Sequence, residues 1–163
     1  MAVSVSSAGP FYVGPATYAA QPGNNANAQT SGYLLQGWAA LLTPQLPLGK
    51  VLTMIQTVLI SSVTTVAYGM VAQLYYGPIT SGVAAPAAQA AVPTNATAIG
   101  PAVTFETPTA LGTAADLMAP VDMTALAIGL TPGQQYWFDL ATKYVTGAGY
   151  LLTQNSIILM EVG

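Results

Sequence analysis

Residues 131–162 read TPGQQYWFDLATKYVTGAGYLLTQNSIILMEV, and the period of this stretch decides the fold. In QYWFDLATKYV, Tyr136, Phe138, Leu140 and Tyr144 share one parity, and Trp137, Asp139, Ala141, Lys143 and Val145 share the other. A repeat of two residues with an aromatic, apolar side is a β-strand laid on a core. Pro132 and Gly133 fit the two central positions of a type II turn before it. Gly147 and Gly149 supply a hairpin connection after it. The return strand puts Ser156, Ile158, Met160 and Val162 in one phase and Ile157, Leu159 and Glu161 in the other. Both sides are apolar, which implies burial on both, by the chain's own sheet partner and by another subunit.

Upstream, VLTMIQTVLISSVTTVAYGMVAQLYY (51–76) is free of charge and long enough to span a bilayer as a helix. Its β-branched content and polar interruptions oppose that reading. Leu52, Met54, Val58 and Ile60 share a parity that resumes after SSVTT at Val66, Tyr68, Met70, Ala72, Leu74 and Tyr76, so two strands are expected. The Pro-rich run from Gly77 to Pro101 reads as loops and short edge pieces, and VTFET (103–107) as another strand. Thr113 and Asp116 resemble a weak capping box for one helical turn over AADLMA (114–119). Residues 1–48 are dense in Gly, Pro and Asn yet carry Phe11, Tyr12, Tyr18, Tyr33 and Trp38, which flexible linkers rarely do. An extended arm (1–48) ahead of a β domain (49–163) is expected. Either the arm reaches a neighbouring subunit through those five aromatics, or it lies back on its own domain with a short helix around YLLQGWAALL (33–42).

Composition narrows the chemistry. The chain of 163 residues has 2 Lys+Arg, 5 Asp+Glu, no His and no Cys. Neutralising a phosphate backbone takes several cations per site, so no nucleic-acid partner is expected. The usual metal ligands, thiol nucleophiles and imidazole bases are missing. With 53% hydrophobic residues the chain should fold, yet only 4% of it is charged. Something other than Lys, Glu and Asp must cover its surface: neutral polar side chains, other subunits or lipid. No positive region precedes an apolar stretch and no basic cluster flanks one, so a membrane partner is not expected.

Few sites remain. A Ser or Thr nucleophile would need Lys50 or Lys143 as its base, and Lys143 with Asp139 reads as a solvated strand face. No spacing singles out a catalytic pair among the carboxylates. Asp116 and Asp122 could together hold a hard cation but lack the acidic density of a calcium loop, and solvated loop carboxylates are the plainer reading. Tyr75, Tyr76, Tyr136, Trp137 and Tyr150 would make a sugar-stacking platform if coplanar, whereas aromatics alternating on strands more often fill cores or interfaces. No catalytic residue, metal site or cofactor is expected.

The segment from Ala125 to Val162 resembles the end of trimeric jelly-roll domains of the C1q and tumour-necrosis-factor-like type, at Leu130, Gly133, Tyr136, Phe138, Ser156 and Ile158. The layout of an aromatic-bearing arm before a nearly uncharged β domain also looks like a bacteriophage head decoration protein. The resemblance implies an all-β jelly-roll homotrimer on a virus particle, located in the virion after assembly in the host cytoplasm, with capsid or other virion subunits as partners. The expected trimer interface or core is Tyr136, Phe138, Leu140, Tyr144, Ile158 and Met160. A receptor- or carbohydrate-binding knob of a viral fibre or surface filament is the alternative.

Overall fold

The computed structural model describes residues 17–18, 25–27, 32–61, 69–81, 84–106, 117–146 and 150–162. Its strands are β1 (Thr17–Tyr18), β2 (Asn25–Asn27), β3 (Leu34–Leu35), β4 (Ala40–Leu42), β5 (Lys50–Ser61), β6 (Gly69–Pro78), β7 (Thr97–Glu106), β8 (Leu117–Ala127), β9 (Tyr136–Thr146) and β10 (Tyr150–Val162). One sheet runs β1-β10-β5-β8, with β2 also on β10; the other runs β3-β9-β6-β7, with β4 also on β9. All pairings are antiparallel. Because β1 with β2, and β3 with β4, each share one lane, the chain forms two four-lane sheets whose neighbours alternate between early and late strands. This is the connectivity of a jelly-roll sandwich, as the sequence implied.

The core lies between the sheets. From the first come Val51, Ile55, Leu59, Val121, Leu152, Ile157 and Leu159, and from the second Met70, Ala72, Leu74, Phe138 and Leu140, all at 1% exposure or less. Tyr136, Phe138 and Leu140 therefore belong to the chain's own core; the side chain of Tyr144 is outside the described residues. Tyr76 stacks on Phe138 with ring centroids 5.7 Å apart and meets Tyr136 edge-on. In β10 a bulge between Thr153 and Ser156, with Gln154 at φ 54°, changes which parity faces inward. Leu152 before it and Ile157 and Leu159 after it thus all reach the same core. The turn before β9 forms as read, with Gly133 at φ 81° and the Gln134 N–H donating to the Thr131 carbonyl at 3.1 Å.

Three expectations change. YLLQGWAALL is not helical: β3 and β4 pair with β9, separated by a break at Gln36–Ala39. Apolar residues on both sides of that break outweigh helix propensity, burying Leu35, Trp38, Ala40 and Leu42. Residues 32–48 thus lie back on their own domain, the second of the two readings of the N-terminal stretch. Leu117–Ala119 of the expected helical turn open β8 in register with Leu59–Ser61, since continuous sheet pairing satisfies more backbone than one capped turn; residues 107–116 are outside the described residues. β7 starts at Thr97, earlier than expected, and tolerates Gly100 and Pro101 because it is an edge strand with a bulge opposite Ala72–Leu74.

Candidate interaction surface

The two outer faces of the sandwich differ. On the second sheet, Leu35, Trp137 and Ala141 are buried by Tyr33, Tyr75, Ile79, Ala85, Val92 and Ala96. The loop after β6 is fastened there by the Leu35 N–H to the Ala90 carbonyl and the Gln89 N–H to the Leu35 carbonyl, both 2.9 Å. On the first sheet, the outward residues Leu52, Met54, Val58, Ile60, Ile158, Met160 and Val162 are half-buried, while Met118 and Leu126 are 58% and 45% exposed. Among the described residues no segment lies across them. The parity that marked β5 in the sequence thus points away from the core, and Val51, Thr53, Ile55, Thr57 and Leu59 point into it. Ile158 and Met160 sit on this open face, the only two of the expected interface residues that the described side chains leave available to another subunit.

Strand register arranges the face in rows. Met160, Leu52 and Leu126 stand side by side, then Ile158, Met54 and Thr124, then Ser156, Gln56 and Asp122, then Thr153, Val58 and Pro120. A neutral polar and acidic row therefore crosses a face whose other rows are mainly apolar, with Thr124 and Thr153 among them. Around it lies a shallow depression of about 200 Å³, lined by Met54, Gln56, Asp122, Thr124, Ser156 and Ile158. A second cleft of about 190 Å³ opens between the edge strands β7 and β8, with Ile99, Pro101, Val103 and Met123 inside.

Of the acids expected to be solvated, Asp122 is exposed and Asp139 is structural. Asp139 is fully buried: its carboxylate accepts from the N–H groups of Gly37 at 2.8 Å, Trp38 at 3.2 Å and Leu140 at 2.8 Å. These bonds hold the break between β3 and β4 against β9. Burial drives its pKa up to about 7 against the opposing pull of those amides. The solvated-face reading failed because the strand pattern revealed the face but not the segment covering it. Gly37 has φ 73°, and a Cβ there would lie 2.3 Å from the Ala88 nitrogen, so the clasp requires glycine. Glu161 accepts from the N–H groups of Gln45, at 2.6 Å, and Leu46. Neither role had a signal in the sequence beyond an acid in an apolar strand. Lys143 places its ammonium 4.9 Å from the centre of the Tyr33 ring. Burial raises the pKa of Tyr33 and of Tyr75, with Tyr75 adding to the effect on Tyr33.

The sugar platform does not assemble. Tyr76 and Tyr136 join the inter-sheet core, whereas Tyr75 and Trp137 lie on the opposite side of the same sheet; the Tyr150 side chain is outside the described residues. Of the arm aromatics, Trp38 is 6% exposed in the chain's own core, a correction to its reading as a neighbour contact. Tyr33 packs on the chain's own second sheet, in contact with the Tyr75 ring. Tyr18 holds the register position opposite Ile158, and Phe11 and Tyr12 are outside the described residues. So is Asp116; among the described residues no three His, Cys, Asp or Glu gather where a metal ion would bind. No helix among them is long and apolar enough to cross a membrane.

These features define an all-β jelly-roll sandwich in which the outer face of one sheet is covered by the chain itself and that of the other, among the described residues, is not. No family model and no curated protein matches the chain. Among solved structures it is similar to a chain of the T13 IBDV viral particle, a crystal structure, at 12% identity and a TM-score of 0.38, over 95% of this chain and 32% of that one. This chain therefore spans about a third of the length of that one, and a likeness at this level carries no argument about function.

Proposed function

We propose that the chain is a non-enzymatic structural protein of a virus particle, a homotrimeric jelly roll that decorates and stabilises a capsid surface. The observation that carries the structural part is the open, almost uncharged outer face of the β10-β5-β8 sheet. Removing apolar surface from water contributes about 25 cal/mol per Å², less the cost of ordering the partners, and few charges need desolvating. The virion part is supported by the resemblance of residues 125–162 and by the aromatic-bearing N-terminal stretch, whose Phe11 and Tyr12 would add contacts on capsid neighbours. Tyr33 and Trp38 serve the domain's own packing.

The test is the native mass of the full chain by light scattering in detergent-free buffer, at low and at high salt. A trimer that persists at high salt is expected, because burial of neutral surface is screened little. A monomer at every concentration would remove the structural reading.

A further inference from the structure

We infer that residues 33–42 form a latch across the edge of β9, bolted by the Asp139 carboxylate, which opens as a unit while the two sheets stay folded. Such a latch operates within one copy, whatever the chain assembles with. The segment fills the outermost lane of the second sheet, where β3, of two residues, and β4, of three, pair with β9 alone. The central strands β5 and β6 run for 12 and 10 residues with a partner on each side. Local opening begins where few backbone bonds hold a segment. Between the two short strands the chain is also strained, with Gly37 at φ 73° and Ala39, which carries a Cβ, at φ 43°. A non-glycine residue keeps such a conformation only where its surroundings impose it.

What imposes it is one buried anion. The N–H groups of Gly37 and Trp38 donate to the Asp139 carboxylate, and that of Ala39 faces it as well. Successive N–H groups turned to one side in this way form an anion seat. The other ties of the break are neutral: the Gln36 N–H to the Leu140 carbonyl at 2.8 Å and the Gln36 side-chain amide to the Thr142 hydroxyl at 2.6 Å. Neither lysine compensates the charge, since Lys143 stands over the Tyr33 ring and Lys50 opens β5 in the other sheet. From β6 the group opposite Asp139 is Tyr75, its register partner, while residues 34–42 and the loop over 84–96 contain no acid or base. A carboxylate buried without a cation is held best when it carries a proton, and burial accordingly raises its pKa to about 7. Opening hydrates the group and returns it to an ordinary carboxylate. The closed latch is therefore most favoured below about pH 4, and opening grows as pH rises to about 7 and is then flat.

The opening has a fixed end. Past β4, the Gly133 N–H donates to the Pro44 carbonyl at 2.7 Å, and Glu161 accepts from the N–H groups of Gln45 and Leu46. These bonds tie the next turn to β10 and to the turn before β9, so the movable piece stops at Thr43. Lifting it bares the backbone of β9 from Tyr136 to Thr142 and releases Leu35 and Trp38 from burial. An uncovered strand edge of this kind is a site for strand pairing, which the closed latch denies.

The test is amide hydrogen exchange on the dilute full-length chain, corrected for the intrinsic rate of each amide. The amides of Leu35, Gln36, Gly37 and Trp38 should open at least about tenfold more often than those of Ile55 and Leu74 in the central strands, as a segment that opens below the global transition does. Their opening should rise at least about tenfold from about pH 5 to about pH 8 in the wild type and stay level in Asp139→Asn. Ala39→Gly, which relieves the strained position without touching the carboxylate, should reduce opening by about two- to fivefold. Equal opening of the latch and central amides would make the segment part of one cooperative unit and overturn the proposal. A latch that opens early but with the same pH dependence in Asp139→Asn would remove Asp139 as its bolt and overturn it equally.

Discussion

The outer faces of the two sheets show how the same kind of sequence reaches two different ends. Both carry large apolar side chains. Over the second sheet the chain returns: Tyr33, Leu35 and the small-residue loop after β6 bury Trp137 to 3% exposure. Over the first sheet no described residue returns, and Met118 stays 58% exposed. A protein with 4% charged residues cannot wet such a face in the ordinary way. Burial of the covered face contributes to folding stability, whereas burial of the other by a second copy would make stability depend on concentration.

The largest expected effect tests the covered side. Trp137→Ala empties a site enclosed by the loop and by β3, and should cost about 3–5 kcal/mol in urea unfolding, as buried Trp truncations do. The loss should be independent of protein concentration. A cost below about 1 kcal/mol, the range of ordinary surface substitutions, would show that the loop does not seal this face and would break the contrast.

Asp139 sharpens the contrast from beneath the same cover. Its folded pKa of about 7 is above the ordinary carboxylate value of 3.8, so between these values the folded protein holds a proton that the unfolded chain has released. Stability from this group is complete below about pH 4, falls as pH rises to about 7 and is then flat, a loss of at most a few kcal/mol. The three amide donors to the carboxylate limit that loss. Unfolding midpoints across this range should decline in the wild type and lie on a flatter line in Asp139→Asn. Parallel profiles would mean that the carboxylate is more hydrated than its enclosure implies.

How legible the molecule was depended on whether a residue's partner was near in sequence. The strand over 136–146, its turn at Pro132–Gly133 and the two strands within 51–76 follow from period and turn chemistry, both local. The break at Gln36–Ala39 did not, because Gly37 looks like linker punctuation until Ala88 and Asp139 are brought against it from 51 and 102 positions away. From Val51 to Ser61 both parities of β5 are apolar or neutral, so the pattern could not tell core from outer face. Thr53 and Thr57 go inward, and the Thr57 hydroxyl is satisfied by the Thr153 carbonyl at 3.0 Å and by Asn155 across the β10 bulge. The open face was legible only as an excess: β10 had more apolar residues than one core could use.

The smallest expected effect falls on that excess. Ile158→Ala removes a half-buried side chain in the middle of the open face, between Met54 and the register position of Tyr18. In dilute solution its cost should stay near or below about 1 kcal/mol, because most of what it touches in the folded monomer is its own sheet. At concentrations where copies associate, the same substitution removes contacts that only the assembly makes, so its apparent cost should grow with concentration, while that of Trp137→Ala stays constant. If the cost of Ile158→Ala were as large in dilute solution as that of Trp137→Ala, the first sheet would have to be covered by its own chain, and the two faces would be alike after all. A cost that rises with concentration instead makes the difference between the sheets a difference between folding and assembly.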